Sequence, residues 1–101
     1  MLTYYVLMAD VNSIVNKVLS IARELGVAAS VEEYGRERVV ILELGEGFGV
    51  YVSVVCDDEC DIEYAVGDEN FTFKPGNVEQ LRRAVEIIEK LNRELIGKQP
   101  S

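Results

Sequence analysis

Hydrophobic and polar residues alternate along the middle of the chain in a pattern that predicts an antiparallel sheet. Residues 27–74 contain five runs rich in Val, Ile, Tyr and Phe, separated by four short glycine- or acid-rich stretches typical of hairpin loops. Because neighbouring side chains on a strand point to opposite faces, each loop determines which residues face one another. The predicted cross-strand pairs are Val31–Val40, Tyr34–Glu37, Leu44–Phe48, Cys56–Cys60 and Val66–Phe71.

The four loops, taken one at a time, agree on a single apolar face. Its only charges are Glu33 and Arg38, which the same register places opposite each other as a cross-strand ion pair. This agreement predicts a five-stranded antiparallel meander, with Val40 beside Val52 and Val52 beside Tyr64. The predicted inner face comprises Val27, Ala29, Val31, Val40, Leu42, Leu44, Phe48, Val50, Val52, Val54, Cys56, Cys60, Ile62, Tyr64, Val66, Phe71 and Phe73.

Two amphipathic segments flank the strands and have the periodicity of helices. Asp10 stands at the N-cap of the first and Gly26 at its end, whereas Asn77 caps the second and Gly97 ends it. Residues 1–9 fit either an extra strand or a longer first helix.

Together these elements predict one two-layer α+β domain over residues 1–97, in the order α-β-β-β-β-β-α with both helices on one sheet face, and a frayed tail at 98–101. This order is similar in outline to the type III secretion chaperones and related small adaptors, although the chain carries none of their motifs. We therefore expect a non-catalytic interaction module.

The second helix has two interpretations. The residues Val78, Leu81, Val85, Ile88, Asn92 and Leu95 fit the a and d positions of a heptad, in which a polar Asn sets register and oligomer state. Fewer than three heptads fit, however, and most of these residues also belong to the broad stripe of a helix lying on a sheet. That stripe comprises Leu81, Ala84, Val85, Ile88, Leu91 and Leu95, and we predict that it faces the sheet. Ile87 lies off this stripe and is available for a contact between chains.

Composition narrows the functional classes. The 101 residues carry a formal net charge of −8, which argues against non-specific binding of double-stranded DNA. The chain has no His, no nucleophile elbow and no phosphate-binding glycine loop, so we predict neither an enzyme nor a cofactor. The first residues lack the features of a signal peptide, and no apolar run is long enough to span a membrane. We expect a cytoplasmic protein.

The stretch "VVCDDECDIEY" raises the question of what its two cysteines do. In the predicted register Cys56 and Cys60 lie directly across a hairpin tip, which is compatible with a disulfide. Zinc is poorly supported because a structural site takes four Cys or His ligands. The preferred interpretation is that both cysteines pack as small apolar residues while the intervening acids face solvent.

The opposite face of the sheet is the main candidate for function. Its centre is apolar and its edge is acidic, as in many partner-binding surfaces. We expect it to pair with a second copy of the chain in a homodimer, or else to bind another protein, through Tyr34, Val39, Ile41, Tyr51 and Val55. Two other interpretations are an ordinary solvated face and a face covered by residues 1–9.

Binding of single-stranded nucleic acid is the alternative function. Tyr34 and Tyr51 would stack on bases, since aromatic residues on a sheet face commonly do so. The cations available to contact phosphates are Arg36, Lys74, Arg82 and Arg83. The acidic residues on the same face count against this function.

Overall fold

The computed structural model of the protein describes residues 10–45 and 47–96, which form an antiparallel sheet and two helices. Within these residues the sheet has four strands in the order β1-β2-β3-β4. The predictions for residues 1–9 and for the tail at 97–101 lie outside the described part of the chain. The elements are α1 (Val11–Glu24), β1 (Ala29–Tyr34), β2 (Glu37–Gly45), β3 (Phe48–Cys56), β4 (Cys60–Gly67), a 3-10 turn (Pro75–Asn77) and α2 (Val78–Ile96).

The strand register agrees with the parity argument through the body of the sheet. Val31 pairs with Val40, Val40 with Val52, and Val52 with Tyr64. Arg38 Nε lies 3.0 Å from Glu33 Oε1, as the cross-strand prediction required. A slip of one residue would have turned every strand over and buried the opposite set of side chains.

The β2–β3 loop is tighter than predicted. Phe48 pairs with Gly45 rather than with Leu44, and a bulge between Glu43 and Gly45 restores the predicted register further along the strand. Gly45 and Gly47 take φ values of +108° and +75°, which glycine adopts without a steric penalty. The two glycines therefore let β2 run one residue longer before it turns.

The predicted fifth strand, over residues 71–74, is wrong, and so is the Val66–Phe71 pair. After β4 the chain curls around Asp68, whose carboxylate accepts hydrogen bonds from the backbone N–H of Asn70 and of Thr72 and from the Thr72 hydroxyl. Phe71 has a φ of +58°, outside the extended region. Local side-chain bonding to the backbone thus replaces sheet pairing in this segment.

The ends of α1 agree with its capping residues. Asp10 Oδ1 accepts a hydrogen bond from the Ser13 backbone N–H at 2.7 Å, and this bond lowers the pKa of Asp10. Beyond Glu24 the chain turns through Gly26, at φ +69°. The buried side chains of α1 are Ile14, Val15, Val18, Ile21 and Ala22.

The core lies between the helices and the predicted inner face of the sheet. In β2 and in the interior of β3, the fully buried side chains belong to even-numbered residues and therefore point to one face of the sheet. These residues are Val40, Leu42, Val50, Val52 and Val54. Both helices pack on that face.

α2 packs with a face that only partly matches the predicted stripe. Ala84, Ile87 and Leu91 are buried, whereas Leu81 and Val85 are exposed. The prediction that Ile87 is free for contact between chains is therefore wrong, since its side chain is only 3% exposed. Ile88 and Leu95 are partly buried against the core.

Two polar contacts accompany this orientation of the helix. Gln80 Nε2 donates a hydrogen bond to the Gly45 carbonyl at 2.9 Å, which ties the first turn of α2 to the end of β2. Arg83 reaches the carbonyl of Leu25 after α1 at 3.4 Å. With Gln80 and Arg83 turned toward the rest of the domain, Leu81 and Val85 point away from it.

Candidate interaction surfaces

The outer face of the sheet is here defined by Val39, Ile41, Tyr51 and Val55. The register brings Ile41 and Tyr51 side by side, with Ser30 and Ala65 continuing the row across all four strands. Each of the four defining residues is partly exposed, and none lies under a helix. The fifth predicted member of the row, Thr72, belongs instead to the turn after β4.

Phe71 covers part of the outer face. Sequence parity placed it on the inner face, yet its ring meets Tyr51 edge-on, with centroids 5.0 Å apart. Phe73 takes the other direction and packs edge-on against Phe48, with centroids 5.6 Å apart. The two Phe residues therefore bracket the end of the sheet, and each remains about half exposed.

Gly67 makes this covering contact sterically feasible. It has a φ of +151°, and a Cβ atom added there would lie 2.7 Å from Phe71 Cα. A side chain at this position would push Phe71 away from Tyr51.

An open hollow of about 170 Å³ lies on the outer face beside Tyr51. Its apolar wall is formed by Val39, Tyr51, Ala65 and Phe71, and polar side chains from neighbouring strands complete it. This volume suits one inserted side chain, whereas a drug-sized ligand site typically needs about 300 Å³ or more.

Carboxylates surround the outer face. Glu37 accepts a hydrogen bond from the Ser53 hydroxyl across the β2–β3 pair. Burial raises the pKa of the Tyr51 hydroxyl, and the nearby charges of Glu69 and Asp68 raise it further. The surface therefore combines an apolar centre with a negative potential.

Tyr34 lies at the exposed end of β1. Its hydroxyl donates a 2.7 Å hydrogen bond to the Glu32 carboxylate, which raises the pKa of the tyrosine. It is part of the same face but is separated from Tyr51 along the strand direction, so the two rings do not form one stacking platform.

The candidate cations for nucleic-acid binding do not converge beside the tyrosines. Arg36 forms an ion pair with Asp57 at the hairpin end of the sheet. Arg82 and Arg83 belong to α2, which packs on the opposite face of the sheet from Tyr51. Lys74 is exposed in the segment that leads into α2.

A second apolar surface lies on α2, where the sequence had predicted burial. We call it the α2 stripe, defined by Val78, Leu81 and Val85. Their side chains are 59%, 40% and 48% exposed. The heptad spacing was the signal that could have identified this surface, because it groups these three residues apart from Ala84 and Leu91.

Cys56 and Cys60 form a disulfide at the tip of the β3–β4 hairpin. Of the alternatives left open by the sequence, this is the one present in the structure, and it replaces the preferred interpretation of two reduced thiols. The bond connects two residues that already face each other across the ladder, so it reinforces the hairpin without creating a new contact.

In residues 10–45 and 47–96, no three side chains of His, Cys, Asp or Glu come close enough to hold a metal ion together. None of the helices described is long and apolar enough to cross a membrane.

Comparison of the chain with protein-family models, curated proteins and solved structures finds no match.

Proposed function

We propose that this chain is a non-catalytic protein-interaction module, of adaptor or chaperone type, that acts as a homo-oligomer. The observation that carries the proposal is the presence of two separate apolar surfaces, the outer face and the α2 stripe, on so small a domain. Burying such surfaces against a partner is favoured by the hydrophobic effect.

The outer face is the surface that we assign to a different protein. Its acidic surroundings repel a second copy of the same face, because identical carboxylates would meet across a two-fold axis. A partner with Lys or Arg around an apolar side chain fits both the charge and the hollow beside Tyr51. This assignment replaces the expectation that the outer face pairs with itself.

Fluorescence anisotropy tests the outer-face assignment. Labelled short peptides with an aromatic residue between lysines are titrated with the protein at low salt, alongside a single-stranded oligonucleotide. We expect the peptides to bind, and Ile41→Asp with Tyr51→Asp to abolish that binding in a protein that stays folded. Oligonucleotide binding without peptide binding would contradict the proposal and favour the nucleic-acid alternative.

Light scattering across a range of concentrations tests the homo-oligomer. We expect a mass of at least twice the 11.3 kDa of one chain. A single-chain mass at every concentration would contradict this part of the proposal.

A further inference from the structure

Within the described chain, α2 carries two apolar stripes, and the domain uses only one of them. Ala84, Ile87 and Leu91 fill the core, while the α2 stripe stays exposed. The exposed charged residues of α2 give it the polar side expected of a helix that covers a sheet, and the α2 stripe lies between that side and the residues that fill the core. The exposed apolar positions therefore need a second surface to cover them.

The spacing of the α2 stripe matches what another helix requires. Val78, Leu81 and Val85 are followed at the same alternating spacing by Ile88, Asn92 and Leu95, which gives successive a and d positions. Ile88 and Leu95 lie at the border of the core, so the stripe continues along the length of the helix.

Charge selects a second copy of the chain as the occupant. α2 contains four acidic and four basic residues and so has no net charge, whereas the whole chain has −8. Two copies of α2 can therefore approach with less repulsion than two copies of the outer face, which carboxylates surround. Residues of both signs line the exposed side of the helix, so opposite charges can meet across a two-fold axis; these residues are Glu79, Arg82, Glu86, Glu89 and Arg93.

Asn92 supports the same assignment. It is exposed and occupies an a position in line with Val78 and Val85. A single polar Asn in an apolar seam reduces the stability of a helix pair but fixes its register and its number of strands.

We infer that the α2 stripe is the homodimer interface, in which α2 of one chain packs against α2 of a second copy through Val78, Leu81 and Val85. The inference rests on the proposed homo-oligomer and specifies where its contact lies. The outer faces of both copies then remain free for another protein.

The test compares two matched double variants of the full chain. Leu81→Asp with Val85→Asp alters the α2 stripe, and Ile41→Asp with Tyr51→Asp alters the outer face by the same number of charges. Mass is measured by light scattering over a range of concentrations, and folding by far-ultraviolet circular dichroism. We expect the helix variant to have the mass of one chain and a native spectrum, with a dissociation constant raised about 100-fold or more, since each lost side chain is worth roughly tenfold. The sheet variant should remain a dimer.

The outcomes separate this inference from the proposed function. A dimer that survives the helix variant but dissociates in the sheet variant would overturn the inference while leaving the homo-oligomer intact. A wild-type chain that is monomeric throughout would overturn both. A helix variant that unfolds while the wild type is monomeric would assign the stripe to another segment, such as residues 1–9, and would also overturn it.

Asn92→Leu keeps the test decisive if the double variant fails to fold. This substitution completes the apolar seam, so we expect tighter dimerisation by about tenfold and a melting temperature that rises with protein concentration. A melting temperature independent of concentration in both wild type and Asn92→Leu would contradict the inference.

Discussion

The two apolar surfaces of this domain differ in charge more than in hydrophobicity. Residues 29–67, which form the sheet, contain ten acidic and two basic residues, whereas α2 contains four of each. Burial of either surface against a partner is favoured by the hydrophobic effect. In a symmetric dimer, however, the acidic residues of one sheet would face those of the other, whereas α2 has no net charge. In the proposed assembly, local charge rather than apolar area would determine which surface pairs with itself.

The surfaces also differ in how they are covered. Phe71 lies over Tyr51 on the outer face, held in place by the turn around Asp68. In the described part of the chain no comparable side chain packs over Val85. The outer face is therefore partly covered in the single chain, whereas the α2 stripe is exposed.

The largest expected loss of stability distinguishes the buried residues of α2 from the exposed α2 stripe. Leu91→Ala removes a fully buried side chain and should lower the free energy of unfolding by about 2–5 kcal/mol. Leu81→Ala should cost less than about 0.5 kcal/mol in a sample dilute enough to be monomeric. Urea denaturation at low concentration measures both, and equal losses would mean that the α2 stripe is part of the core.

Gly67→Ala tests the packing of Phe71 on Tyr51 at the outer face. The new Cβ would collide with the backbone of Phe71, so we expect a loss of about 1–3 kcal/mol and separation of the Phe71 and Tyr51 rings. The matched control is Gly76→Ala, where an added Cβ meets no atom within 4 Å. Nuclear Overhauser effects between the two rings that persist in Gly67→Ala would show that the glycine is not required.

The disulfide should matter to the hairpin and not to either surface. Replacing both Cys56 and Cys60 with Ala removes a bond that closes a very short loop, so stability should fall by at most about 2 kcal/mol. Thermal melting measures this loss, and light scattering should give an unchanged mass. Dissociation of the dimer would show that the hairpin tip takes part in the interface.

The smallest effect concerns pH. Hydrogen bonds from the Thr72 hydroxyl and from backbone N–H groups lower the pKa of Asp68 below its usual 3.8. A carboxyl whose folded pKa is depressed stabilises the fold above its unfolded pKa, and the stabilisation is lost as the pH falls through the folded value. The melting temperatures of wild type and Asp68→Asn should therefore differ at pH 7, begin to converge as the pH falls below about 4, and meet only below the folded pKa of Asp68. A difference that is constant with pH, or one shared by the hairpin-tip control Asp58→Asn, would contradict this role.

Some of these features follow from sequence and others do not. The register of β1 to β4 was predictable because one apolar face and independent loops constrain the same parity. The path of residues 68–74 was not, since Phe71 looks like a strand residue and only the side-chain bonding of Asp68 diverts it.

The rotation of α2 was ambiguous for a different reason. Nine of its 19 residues are apolar and span about half of the circumference, so periodicity alone does not determine which of them face the sheet. The outer face was predicted residue by residue, but Phe71 was assigned to the wrong side of it.

The central claim is that α2 pairs with α2 while the outer face stays free. Isotope-filtered nuclear Overhauser spectroscopy on an equal mixture of labelled and unlabelled chains measures this directly, because only contacts between copies give signals. We predict intermolecular signals from the methyl groups of Leu81 and Val85 and none from those of Val39 and Ile41. Signals from Val39 and Ile41 alone, or no intermolecular signals at concentrations where wild type is expected to be dimeric, would contradict the account.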